Sequence, residues 1–406
     1  MKSIVLSIHF ALVVFIMMSA VTPVSAKKTT YQTGIKYWRA ADGNFTDWQL
    51  AGVQLDASGD LRLDLSTAVP EEDPYPAGNY YGGNFYNGAS YLVGDATSPV
   101  IPADFAFTEA IASWNTSTPE GTWIETLIRA QLNGRWTKWY NLGIWAAEID
   151  TVARHSVRLQ GDGDGYVAVD TLVLTNKKEL GNAYQIKLRL FSANGTTAPS
   201  VQNLSVAYST SPINKPGLST GNPARWNTLV AVPECSQMVY PDGGEVWCSP
   251  TSTSMVLGYW TGDTGLCEPR VRAAVEGVYD WIYDGHGNWP FNTAYAARFG
   301  LQGYVARFTS LAQAEEWVAV GVPVVASIAW GKGELTGAPI PSSSGHLMVI
   351  VGFDGAGNPI VNDPAASSDE DVQRTYLRSE FETQWLSASG GTVYLIYPLG
   401  VQTPVW

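Results

Sequence analysis

The sequence predicts a multidomain chain, an all-β half followed by an α+β half, and three observations carry that prediction. From Tyr31 to about Ser209, short alternating runs such as LRLDL at 61–65 and YQIKLRLF at 184–191 are separated by Gly, Asn, Asp and Pro, the pattern of strands joined by tight turns. Residues 209–223, STSPINKPGLSTGNP, hold few large apolar side chains and read as a linker. After it, helical spacing appears at Val271, Val275, Val278 and Ile282 and gives way to apolar strand runs. A chain of 406 residues also exceeds the usual size of one hydrophobic core.

The elements follow in order. Lys2, an apolar run from Ile4 to Val21, and Val24-Ser25-Ala26 before Lys27 have the charge, core and small-residue site of a secretory leader, so residues 1–26 are expected to be removed on export. Residues 27–208 are expected to form a β-sandwich of jelly-roll kind, since many short strands at close intervals favour two packed sheets over a barrel. The stretch 113–145 concentrates Trp and Tyr; a sandwich core is the first reading of these rings, and a stacking face for a glycan or cell-surface ligand is the second. GDGDG at 161–165 lacks the spaced ligands and closing Glu of a calcium loop and reads as a hairpin turn, with His155 nearby as an ordinary surface residue. Residues 209–222 are the linker, and 223–406 the second domain.

Within that domain Ser249, Pro250, Thr251 and Ser252 start a helix whose apolar face is Met255, Val256, Tyr259 and Trp260. Ser310 and Gln313 have the spacing of a capping box for another, and a short helix begins near Ser379. Runs at 322–330, 346–353, 359–362 and 392–397 read as a largely antiparallel sheet.

Composition narrows the partners. The net charge is −13 and no Lys/Arg cluster stands out, which argues against nucleic acid and anionic lipid. No segment after the leader is long and apolar enough to span a bilayer. Charged residues make up 15% and aromatics 12%, a balance common among extracellular β proteins, so a peptide or glycan partner and a secreted or surface-associated site of action are expected. Neither a metal cluster nor a cofactor motif is visible. Three cysteines leave at least one thiol unpaired; if Cys235 pairs with Cys267 that thiol is Cys248, and spacing alone does not decide it.

Cys248 stands where a helix begins, and a helix N-terminus favours an anion, so its thiol is placed to ionise. A thiolate nucleophile needs a base. His286 lies in the glycine-rich DGHGNWP and reads as a solvated turn residue, whereas His346 opens a strand after SSSG. Counting back along the hairpin turned near 354–358 brings Asp363 opposite His346 within about two residues, and adjacent strands lie only about 4.8 Å apart. Asp363 can then fix the imidazole tautomer, while Asn362 has the opposite parity. Gln237, upstream of the thiol, can donate its amide with the Cys248 N–H to a carbonyl oxygen that gains charge during acyl transfer.

The order Gln, Cys, His, Asp, with VPECSQ at 232–237, WCSPTSTSMVLGYW at 247–260, GHLMVIVGF at 345–353 and VNDPAA at 361–366, resembles the papain-like peptidases, most closely the bacteriocin-processing or double-glycine cysteine peptidases and their secreted relatives. The resemblance implies a papain-like domain in which Gln237 is the oxyanion donor, Cys248 the nucleophile, His346 the general base and Asp363 the orienting acid, acting on a peptide or protein substrate. It carries no double-glycine preference here. The chain also lacks a P-loop and a bundle of spanning segments, so leader cleavage coupled to transport is not expected. Two other readings share these residues: a transferase or cell-wall amidase built on the same thioester, and a glycan-binding surface protein whose second half is only a scaffold.

Overall fold

The computed structural model describes residues 31–405 except positions 177 and 215, so the leader at 1–26 lies outside the described residues. The N-terminal half is β-rich and made of two antiparallel sheets. One runs in the order Gly165–Ala168, Thr171–Leu174, Glu109–Ser117, Ser200–Ser209, Leu61–Leu63, Val53–Leu55, with Thr33–Arg39 also on Ser200–Ser209. The other is centred on Gly181–Ser192 and Thr122–Leu132. Alternation places the side chains: Ile186, Leu188 and Leu190 are fully buried, while Lys187 and Arg189 between them reach partly into solvent. Trp114, Trp123 and Trp145 are likewise buried, so these rings are core.

Two readings are corrected in this half and at its border. His155 is fully buried, not a surface residue, because its two ring nitrogens reach the Ser156 and Phe85 carbonyls at 2.8 Å each. Ile282 does not continue the helical row from Val271; the helix ends at Val278, and Asp280 and Gly285 form an isolated bridge beyond it.

The C-terminal half is α+β. Its sheet runs Leu301–Arg307, Thr392–Pro398, Val324–Trp330, Ser343–Phe353, Pro359–Asn362, Gln373–Thr375, antiparallel throughout, with Thr228–Leu229 also on Ser343–Phe353. Five helices accompany it among the described residues: α1 Cys248–Thr261, α2 Cys267–Val278, α3 Trp289–Ala297, α4 Leu311–Ala319 and α5 Arg378–Ser389. The first is buried on more than the expected face. Its small hydroxyls permit this: Ser249 pairs with the Tyr394 hydroxyl at 2.8 Å, Ser252 donates to the Leu347 carbonyl at 3.0 Å, and Thr253 donates to Asn292 at 3.2 Å. Helix α3 was not expected; Asn288 caps it by accepting from the Phe291 N–H, with Pro290 in its first turn. At α4 the anticipated capping box is displaced by one residue, since Gln313 accepts from the Thr309 N–H and hydroxyl while Glu382 accepts from the Leu311 N–H.

The two halves pack into a continuous core. Strand Leu301–Arg307 lies beside Glu109–Ser117, where Asn115 donates to the Gly303 carbonyl at 2.7 Å and the Val305 N–H donates to Ser113 at 2.9 Å. The end of the 209–222 stretch is fastened too: Asn222 N–H donates to Glu315 at 2.7 Å and Arg378 holds Ser219. Tyr31–Trp406 is one compact unit.

Candidate active site

Cys248 is the first residue of α1 and is half-buried. The other two cysteines, 235 and 267, form a disulfide with a Cα separation of 5.6 Å, which joins the segment before Gln237 to the start of α2. Across from the helix end, His346 sits in Ser343–Phe353, and Asp363 follows Pro359–Asn362. Val349 is paired with Asn362, so Asp363 falls two positions from the residue opposite His346. That offset is spanned by side chains: His346 Nε2 meets Asp363 Oδ1 at 2.7 Å. The remaining ring nitrogen, Nδ1, is then the one left free to serve the Cys248 thiol, whose presence helps to hold the ring's proton.

Charge follows from this geometry. Burial by itself would push the Cys248 thiol up, but the hydrogen bond and positive charge of His346, aided by the Leu347 and Ser249 N–H groups, bring it below its ordinary value. Burial would likewise strip the proton from His346; the Asp363 charge and hydrogen bond, with the Cys248 sulfur on the other side, raise it to about 10. Asp363, buried as it is, stays below the usual carboxylate range because His346, Tyr376 and the Ala365 N–H hold its anion. Both shifts run in the direction that favours a thiolate beside an imidazolium.

Several supports were not legible beforehand. The Tyr376 hydroxyl donates to Asp363 Oδ2 at 2.7 Å and the Ala365 N–H donates to Oδ1 at 2.9 Å, so both carboxylate oxygens are fixed. Trp330, itself buried, sets its ring edge-on to the imidazole with centroids 5.6 Å apart. Asn362 points elsewhere and donates to the Val232 and Pro233 carbonyls.

Gln237 is buried and lines the same cleft. Its backbone N–H donates to the Pro364 carbonyl at 2.8 Å, next to Asp363, and its Nε2 donates one hydrogen to the Gly244 carbonyl at 2.8 Å. An amide nitrogen carries two hydrogens, so one remains for a ligand. His286 is not a freely solvated turn residue. It is half-buried, lies against the Trp247 and Tyr279 rings and lines the cleft, and burial pushes its imidazole down to about 4, so it stays neutral near pH 7.

The cleft has a volume of about 970 Å³ and joins Cys248, His346 and Gln237 to residues of the N-terminal half. This arrangement can make a nucleophile, a proton donor for a leaving group and a donor for a charged oxygen within one cavity. Among the described residues no His, Cys, Asp or Glu side chains gather in a way that could hold a metal ion, and no helix is long and apolar enough to cross a membrane.

Known proteins supply an independent comparison. The model of the Peptidase C39 N-terminal domain matches residues 35–209, and that of the Peptidase C39 like family matches residues 229–393. No curated protein matches the chain. Among solved structures, the κ-carrageenase of Pseudoalteromonas carrageenovora, in complex with an oligotetrasaccharide of κ-carrageenan, is similar at 11% identity over 47% of this chain and 100% of that one, with a TM-score of 0.22, too slight a likeness to carry an argument.

Proposed function

We propose that the chain is a secreted papain-like cysteine peptidase that hydrolyses peptide bonds through a thioester on Cys248, a reading supported by the matches of its two halves to the Peptidase C39 N-terminal domain and the Peptidase C39 like family. The observation that carries this reading is the buried His346–Asp363 pair, at 2.7 Å, set against a thiol at a helix N-terminus. The Cys248 thiolate attacks the scissile carbonyl, and the oxygen that becomes charged receives the Cys248 backbone N–H and the second Gln237 amide hydrogen, each such donor being worth about 3 kcal/mol of barrier. His346 gives its proton to the departing amine, which breaks the C–N bond and leaves the thioester. It then takes a proton from water, whose oxygen attacks the thioester carbonyl, and the carboxylic acid leaves as the sulfur recovers its charge. Asp363 keeps the ring oriented throughout and stays ionised.

In this reading the N-terminal half is a sandwich of jelly-roll kind, and the C-terminal sheet with α1 is the papain-like body. Export is supported by the apolar run before Lys27 and by the Cys235–Cys267 bridge, a linkage that persists in oxidising compartments. Incubation with a defined peptide mixture, followed by mass spectrometry of new termini, tests the activity. Wild-type protein is expected to generate cleavages that Cys248→Ser does not; identical product sets from the two proteins would refute it.

A further inference from the structure

The cleft beside Cys248 takes part of its lining from the N-terminal half, from Ala168 to Thr171 and from Val173. These residues belong to the hairpin Gly165–Ala168 and Thr171–Leu174. Its turn is tight: the Asp170 N–H donates to the Ala168 carbonyl at 2.7 Å, and Val169 between them has φ 59°. This is a γ-turn pattern at positive φ, a conformation that β-branched residues rarely adopt. Strain of this kind persists where the surroundings over-determine it, and it concentrates at ligand sites.

The surroundings here come from the other half. Asp170 is buried and accepts from the Trp289 N–H at 2.8 Å and from its neighbour Thr171 at 2.9 Å. Asp280 reciprocates, accepting from the Ser156 N–H at 2.9 Å and from the N–H groups of Ile282 and Tyr283 at 3.1 and 3.0 Å. The loop 279–289 is therefore fastened to the β half at both ends. Val169, Val173, Tyr283 and Trp289 all line the cleft that holds Cys248, and Tyr283 feels the charges of both Asp170 and Cys248. With the Asp170 carboxylate already occupied, the side chain the turn presents is Val169, which is half-buried.

We propose that Val169 is a specificity-determining residue: with Val173, Tyr283 and Trp289 it forms an apolar subsite, shared between the halves, for an aliphatic or aromatic side chain of the peptide bound at Cys248. The proposal rests on the peptidase reading of this site, and it can be judged without turnover. Full-length wild type, Val169→Gly and Val169→Asn are treated with two peptidyl chloromethyl ketones that differ only in carrying Leu or Gly next to the reactive carbon. Each rate is divided by that variant's own iodoacetamide rate. Glycine and asparagine both tolerate positive φ, so the turn is kept. Wild type is expected to prefer the Leu reagent, and both variants to lose about tenfold of that preference. An unchanged preference, or an equal loss on both reagents, overturns the subsite. A failure of the peptidase reading shows separately, as iodoacetamide labelling of wild-type Cys248 no faster near neutrality than that of an ordinary thiol.

Discussion

An imidazole ordinarily titrates near 6.5, and at His346 it keeps its proton to about 10 because a carboxylate on Nε2 and a sulfur on the other face both reward the charge. The sign for catalysis follows. The pair forms as pH rises past the lowered thiol value, and its acid function is lost as pH rises through the raised imidazole value. Hydrolysis is therefore expected to fall on the acid side as the thiolate takes up its proton and on the alkaline side as the imidazolium loses its own, whereas alkylation of the thiolate falls only on the acid side. Asp363→Ala removes the first support. We expect kcat/KM to drop by roughly 10²–10⁴, with the alkaline limb moving to lower pH, in a pH–rate profile of peptide cleavage. Tyr376→Phe deletes one hydrogen bond to a charged oxygen, worth about 1.5–3 kcal/mol, so kcat is expected to fall about tenfold or more with KM little changed and the alkaline limb shifted the same way. An unshifted limb would make Tyr376 merely structural. Asp363 was legible because hairpin counting needs only one turn; Tyr376 was not, since its position depends on the register of a third strand, Gln373–Thr375, against Pro359–Asn362.

Among the elements, α1 and the strand Ser343–Phe353 set the distance between sulfur and ring, and Ser252 joins them through the Leu347 carbonyl. Ser252→Ala leaves that buried carbonyl without this donor; a loss of about 1–2 kcal/mol is expected in urea unfolding. The helix start could be read from Ser, Pro and Thr after the thiol, but its burial on several sides could not, because that depends on hydroxyl partners such as Tyr394 far along the chain. Leu301–Arg307 escaped notice for a related reason: every one of its seven residues is buried, so it shows no alternation. Helix α3 hid inside the glycine-rich string that precedes it. The Cys235–Cys267 bridge ties the Gln237 segment to α2. Its removal in the double variant Cys235→Ala, Cys267→Ala is expected to cost about 2–4 kcal/mol, read as a lower Tm, and an unchanged Tm would mean the segment is held by its other bonds alone.

At the scale of the molecule, the boundary visible in composition is not a boundary in packing. Residues 209–223 change the character of the sequence, yet strand Leu301–Arg307 lies on Glu109–Ser117, and Arg154 of the β half donates to the Glu276 carbonyl at 2.7 Å. Composition reports local chain stiffness and polarity and contains nothing about which faces meet later. Calorimetry is expected to show one unfolding transition for the two halves together, and Asp280→Ala to shift that whole transition downward by about 3 kcal/mol, since it strips several N–H groups of a charged acceptor. Two separate transitions would contradict the shared core.

The central claim is that the Cys248 sulfur is an anion paired with the His346 ring at neutral pH. Iodoacetamide labelling between pH 5 and 9, with mass mapping of the modified cysteine, measures this directly. The account predicts modification at Cys248 with a rate already near its plateau well below the ordinary thiol value of about 8.5. A rate that stays low and climbs only through that ordinary value would contradict it.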